Sequence, residues 1–228
     1  NRQLSLDRAS GFGEVRIDRV NGADVFFGPD DSRQSNEMDW NSTTAKLAGT
    51  YYMNDHTLTF GYEYETLEAY NLFMQHTIGE YRFETIEDFA NGLADDVYYN
   101  NSAGTHNPKD AAQRFSYDTH TLYAQDEWTL DDLTLLFGLR YDKYTSDDKP
   151  AYNELFEERY GYANTHTFDG IDLLQPRFGF NYVLNDNMEL RGGAGLYSGG
   201  NPNVWLSNSF SNDGITNIDT YRGDFDLF

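Results

Sequence analysis

Cysteine is absent from the 228-residue chain, so neither a disulfide nor a thiolate metal site can contribute to it. That absence leaves the redox compartment open. Long apolar runs are missing too: no stretch approaches the roughly 20 residues that a membrane helix needs. The mean hydropathy of −0.72 by itself suggests a water-soluble protein. The inference is unsafe, because a membrane-spanning strand is only about 10 residues long and is apolar on one face alone. Positive charge is scarce: 16 Lys and Arg stand against 38 Asp and Glu, a net charge of −22. Nucleic acid is therefore not an expected partner, since phosphate binding needs clustered cations. Proline is limited to 5 residues, which argues against a Pro-rich disordered chain. The opening Asn1-Arg2-Gln3-Leu4 does not read as a signal peptide.

What the chain has in excess is aromatic side chains, with 18 Tyr and 16 Phe. These favour pleated, half-buried surfaces and point to an all-β fold. The alternation of apolar and polar residues agrees. Leu122, Ala124, Trp128 and Leu130 share one face of a strand, interrupted by Asp126, while Thr121, Tyr123, Gln125, Glu127 and Thr129 share the other. After a turn at Asp131-Asp132, Leu133, Leu135, Phe137, Leu139 and Tyr141 alternate with Thr134, Gly138, Arg140 and Asp142, Leu136 being the exception. Period two over both arms predicts a hairpin. A second hairpin turns at Asn54-Asp55, between Ala45, Leu47, Gly49, Tyr51 and Met53 on one arm and Leu58, Phe60, Tyr62 and Tyr64 on the other. A third turns at Asn185-Asp186-Asn187, with Phe178, Phe180, Tyr182 and Leu184 before it and Met188, Leu190, Ala194 and Leu196 after it.

The turns are short and polar, whereas the other connections are long: residues 71–114, 146–173 and 198 onward. Such loops are uncommon in compact soluble domains. Short turns at one end and long loops at the other are the habit of outer-membrane barrels. A soluble β-sandwich, such as a carbohydrate-binding module, shares the alternation and is the rival reading. One loop predicts a short helix, with Thr85 as N-cap, Glu87 and Asp88 in the first turn and Asn91-Gly92 as the stop.

No catalytic constellation is visible. There is no Gly-x-Ser-x-Gly elbow and no cysteine nucleophile, and acidic pairs are too abundant to mark a glycosidase. The chain is therefore not expected to be an enzyme, and no cofactor is expected. His56, His76, His106, His120 and His166 show no HxxxH or HxH spacing, so no metal site is expected. The pairs Asp30-Asp31, Asp95-Asp96 and Asp147-Asp148 do not follow the EF-hand pattern and read as solvated loop charge. Gly192-Gly193-Ala194-Gly195 lies in a strand with no Lys-Ser or Lys-Thr after it, which fits close approach or bending and not a phosphate loop. Arg140 and Asp142 are expected to pair across strands with groups such as Glu127. Trp205 is expected to anchor its loop.

The segment Leu122-Tyr123-Ala124-Gln125-Asp126-Glu127-Trp128, followed by Leu133-Thr134-Leu135-Leu136-Phe137-Gly138-Leu139-Arg140-Tyr141-Asp142, resembles the barrel hairpin of TonB-dependent outer-membrane receptors. Arg33-Gln34-Ser35-Asn36-Glu37 matches as a strand opening, and Tyr81 to Gly92 resembles a family loop ending in Asp-Phe-x-x-Gly. Asn201-Pro202-Asn203-Val204-Trp205-Leu206-Ser207-Asn208 is similar to a stretch of the Oar-like subgroup. The resemblance covers residues 15–214 and only the middle of the family's barrel.

It implies an antiparallel transmembrane β-barrel segment over residues 1–228, without the plug domain and with the barrel incomplete. It also implies a bacterial outer-membrane location and the import of a scarce nutrient, powered by the TonB system through the absent plug. The implied partners are outer-membrane lipid and a small-molecule, peptide or glycan ligand. Substrate-binding residues are not readable, although acidic loops lean toward a neutral or cationic cargo. Roughly seven or eight strands are expected in an open arc, with Leu133, Leu135, Phe137 and Leu139 facing lipid and Thr134 and Arg140 facing the lumen. Two raw sheet edges would make such a piece poorly soluble without detergent.

Overall fold

The computed structural model describes residues 11–200 and 203–226. Asn201 and Pro202 of the subgroup-like stretch lie outside the described residues. Six strands form one antiparallel sheet: β3 (Ser35–Met53), β4 (His56–Met74), β7 (Gln113–Leu130), β8 (Leu133–Thr145), β9 (Asp172–Asn185) and β10 (Met188–Gly195), in the order β10-β9-β8-β7-β4-β3. Five others form a second sheet: β1 (Glu14–Val20), β2 (Ala23–Phe27), β5 (Glu80–Phe83), β6 (Leu93–Ser102) and β11 (Asn217–Asp226), in the order β11-β6-β5-β1-β2. Among the described residues the sheets do not close into a barrel.

The six-stranded wall follows from the three hairpins that the alternation predicts. Asn54 and Asp131 take positive φ at the first two turns, as tight hairpin turns require. At the third, Asn187 N–H donates to the Asn185 side chain at 3.0 Å. All three turns lie at one end. The Thr129 N–H reaches Asp55 O at 2.8 Å, and the Val183 N–H reaches Asp132 O at 2.9 Å, so neighbouring hairpins are stitched turn to turn.

Register then aligns the faces. Leu47 pairs with Tyr62, Tyr62 with Leu122, Leu122 with Tyr141 and Tyr141 with Leu174. One face is thus apolar across neighbouring strands, and it is open: Leu47 is 76% exposed, Leu122 57%, Phe60 54% and Phe137 45%. Among the described residues no second sheet covers Leu135 and Phe137, so they form no closed sandwich core. The opposite face carries Lys46, Glu63, Thr121 and Asp142 in matching register, with Gln175 of β9 opposite Arg140 on the same face.

The expected strand count of seven or eight falls short, because the long connections themselves fold into β-structure. Asn21-Gly22, both at positive φ, turns β1 back into β2. Residues 71–114 contain β5, the short helix α1 (Ile86–Asn91) and β6. Helix α1 forms as expected: Thr85 Oγ1 accepts from Asp88 N–H at 3.0 Å, and Gly92 caps the end in the left-handed region. Phe89 of α1 meets Phe27 and Phe83 edge-on, over a small core of Val15, Ile17, Phe83 and Ala94. Two further helices, α2 (Glu154–Tyr160) and α3 (Asn203–Ser211), lie in the other long connections.

Candidate functional site

The polar face of the wall carries a continuous charge network. Glu63 on β4 holds two cations: Lys46 Nζ of β3 at 2.6 Å and Arg140 Nη1 of β8 at 3.1 Å. Arg140 Nε also reaches Asp142 Oδ1 at 2.9 Å, and its Nη2 donates to Thr121 Oγ1 at 3.1 Å. Thr121 in turn donates to Asp142 Oδ1 at 2.7 Å. The other oxygen of Asp142 accepts from Gln175 Nε2 at 2.6 Å and from Ser198 Oγ at 3.2 Å. Thr121, Asp142 and Gln175 are fully buried, and every oxygen of the Asp142 carboxylate is satisfied. Such saturation is what makes a buried charge tolerable. Glycine on this face makes room for larger partners. A Cβ at Gly61 would meet Tyr123 Oη at 2.5 Å, because the Tyr123 ring lies across that position and extends beneath Lys46.

Toward the long-loop end the same face turns apolar. Leu67 and Ala69 of β4 and Phe115 and Tyr117 of β7 are covered by Leu206 and Phe210 of α3. Phe115 and Phe210 stack at 4.9 Å. Tyr117 Oη donates to Asn203 Oδ1 at 2.9 Å, and Asn71 Nδ2 donates to Ser207 Oγ at 2.6 Å, fixing the helix laterally. Between α3 and the β3 edge lies a cleft of about 420 Å³, lined by Met38, Trp40, Leu67, Phe73, Phe115 and Val204 with Asn36, Asn71 and Asn208 at its margin. An apolar cleft with a few amides is the general form of a small-ligand site.

A wall that is apolar and uncovered on one face and ion-paired on the other belongs between lipid and water. The family of the outer membrane beta barrel domain matches residues 3–224. The chain belongs to that family. No curated protein and no solved structure matches the chain. The location is the bacterial outer membrane, the apolar face meets lipid and the ion-paired face is the lumen.

In such a barrel about 10 residues cross the bilayer. The 19-residue β3 and β4 therefore run well beyond it at the long-loop end, which in this class is extracellular. The α3 cleft stands in that extracellular part. Thr134 and Arg140 face the lumen and Phe137 and Leu139 the lipid, as the alternation predicts. Two details differ. The cross-strand partner of Arg140 is Glu63, not Glu127, because Glu127 pairs with Leu136 further down the strand. Trp205 does not anchor its loop: it is 76% exposed, and the adjacent Leu206 and the later Phe210 do the anchoring. Their i, i+4 spacing was the signal for it.

The acidic pairs mostly cap backbone. Asp148 accepts from Ser116 N–H and Oγ at 2.7 and 2.8 Å, Asp95 from Glu84 N–H, and Asp96 from Tyr221 Oη at 2.6 Å. His56 binds Asp126 at 2.8 Å and stacks on Trp128, and His120 meets Tyr62 Oη at 2.8 Å. His76 differs. It lies just past β4 beside Asp31 and Glu80, a grouping that no local spacing of histidines reveals. The Glu80 carboxylate, then Asp31 and Asp219, hold His76 above the ordinary histidine range against its burial. Burial pushes Glu80 up, but His76 and Arg82 outweigh it and hold the carboxyl below its ordinary value. Glu14, on the paired strand β1, is raised by burial and by the acids around it.

Proposed function

We propose that this chain is part of the barrel of a TonB-dependent transporter, and that it lines the entry path of a scarce nutrient without catalysing a reaction. The observation that carries the reading is the lumen face. Five neighbouring strands present a charge network that runs from Lys46 to Gln175, too polar to be packed against itself in a narrow closed barrel. Even eight strands leave an interior only just wide enough for side chains to fill. An arc of a wide, plugged barrel removes the conflict, because a plug and water then face the charges. The resemblance of the hairpin at residues 122–142 to this receptor class agrees. Helix α3, folded onto the lumen side above the network, gives the extracellular mouth an apolar ledge with amide margins. Such a ledge suits a neutral cargo with both apolar and hydrogen-bonding surface.

Uptake by cells that carry the whole gene tests the proposal. With candidate nutrients supplied at limiting concentration, growth and uptake of one of them should fall when the gene is deleted, and fall equally when TonB is inactivated. Uptake that survives loss of TonB, or an open ion-conducting pore in planar bilayers without any plug-dependent block, would exclude an energised transporter and indicate a passive channel.

A further inference from the structure

We infer that Asp31, His76 and Glu80 form a binding site for one divalent transition-metal ion of the zinc type at the extracellular end of the wall. The three donors come from separate segments. Asp31 opens the 3₁₀ turn Asp31–Arg33 before β3, His76 follows β4, and Glu80 opens β5. Their nearest oxygen and nitrogen atoms all lie within 4.8 Å of one another. His76 Nδ1 is 3.1 Å from Glu80 Oε2 and 3.7 Å from Asp31 Oδ2. Two ligands at 2.0–2.1 Å from a tetrahedral zinc are about 3.3 Å apart. The side chains therefore already stand close to ligand spacing.

Orphaned atoms give an independent reason. Glu80 is 2% exposed, yet its Oε2 has no hydrogen-bond partner. His76 Nδ1 faces it at 3.1 Å as an ion pair but without hydrogen-bond geometry, so neither atom is fully satisfied. A buried carboxylate oxygen without a hydrogen bond is costly and rare. A cation placed between Oε2, Nδ1 and Asp31 satisfies both at once. The charge balance favours a divalent ion. Glu14, Asp30, Asp31 and Glu80 converge here, with Glu14 and Glu80 paired side by side across β1 and β5. Arg82 Nε, at 2.6 Å from Glu80 Oε1, and His76, when protonated, offset only two of the four.

The site is also held in place from outside. Arg82 orients Glu80 through its other oxygen, and Gln75 Nε2 donates to Asp31 Oδ2 at 3.2 Å. Tyr98 lies against the His76 ring at 5.4 Å. His76 itself sits at φ 57°, in the left-handed region where non-glycine residues are uncommon. Its carbonyl accepts from Gly79 and Asn100 N–H at 3.0 and 3.2 Å, which hold that conformation. Outer partners of this kind fix ligand direction in metal sites. Three protein ligands leave a fourth position for water. Imidazole with two carboxylates suits zinc or a neighbouring transition ion better than calcium, which takes oxygen ligands alone. The bound ion would clip β5, and with it the second sheet, to the top of the wall.

The test uses the full chain folded in detergent, stripped with a chelator and dialysed against micromolar Zn²⁺ or Co²⁺. Metal content by mass spectrometry should show one bound equivalent, and the Co²⁺ form should show the intense visible bands of low-coordinate cobalt. His76→Gln should abolish binding. Asp31→Asn, which leaves the His76–Glu80 pair intact and is milder for folding, should weaken it by roughly tenfold or more. His166→Gln, at an exposed histidine elsewhere, should change nothing. Absence of a bound equivalent in the folded wild-type chain overturns the inference. So does binding that Asp31→Asn and His76→Gln leave unchanged, or that His166→Gln removes.

Discussion

Phe137→Arg tests which face of the wall meets lipid. Phe137 lies on the apolar face of β8, four residues from both Leu133 and Tyr141. At about 3.3 Å per residue and a tilt near 40°, those ends are roughly 20 Å apart along the membrane normal. Phe137 therefore sits about 10 Å inside either limit of an apolar band ~25 Å tall. An arginine at such depth costs ~2–4 kcal/mol. In the folding equilibrium that is roughly 30- to 700-fold.

Part of any loss would come from the ring itself, which meets Phe178 at 5.4 Å. Such pairs contribute about 0.5–1.5 kcal/mol beyond burial, so Phe137→Ala is the reference. Leu136 is the internal control, because it is the adjacent residue on the lumen face and pairs with Glu127. An arginine there meets water and an acid, and the change should stay within about 1 kcal/mol. The measurement is urea unfolding from lipid vesicles, followed by tryptophan fluorescence. The facing argument fails if Leu136→Arg destabilises as much as Phe137→Arg, or if Phe137→Arg is no worse than Phe137→Ala.

Two further outcomes follow from the lumen face. Arg140→Met leaves Asp142 buried and Glu63 with Lys46 alone, and should destabilise by about 3 kcal/mol; adding Asp142→Asn should recover part of that loss in a double-mutant cycle in vesicles, and full additivity would refute the pairing. Phe210→Ala removes the ring stacked on Phe115 and should release α3 at a cost of about 3–5 kcal/mol; hydrogen exchange should rise in residues 203–211 while β7 and β8 stay protected, and unchanged protection of α3 would show that the helix is held by other contacts.

The sequence alone determined the wall. Period-two alternation around Asn54-Asp55, Asp131-Asp132 and Asn185-Asp186-Asn187 is a local property, since a strand's facing depends on parity and a turn on a few dihedrals. Helix α1 was legible for the same reason: Thr85, Asp88 and Gly92 act within one short segment. The second sheet was not. Within it only the β1–β2 turn at Asn21-Gly22 is a local feature, whereas the parallel pairing of β1 with β5 joins segments far apart in the chain.

Tertiary structure alone decided the sites. Arg140 chose Glu63 over Glu127 because the β4–β7–β8 register brings Glu63 beside Thr121 and Thr121 beside Asp142. Asp31, His76 and Glu80 meet because β4 returns to the point where β3 began, bringing its last residues back beside the 3₁₀ turn. Spacing along the chain reports neighbours on one element. The distance between side chains on different elements is set by strand pairing, and that is fixed only when the whole sheet forms.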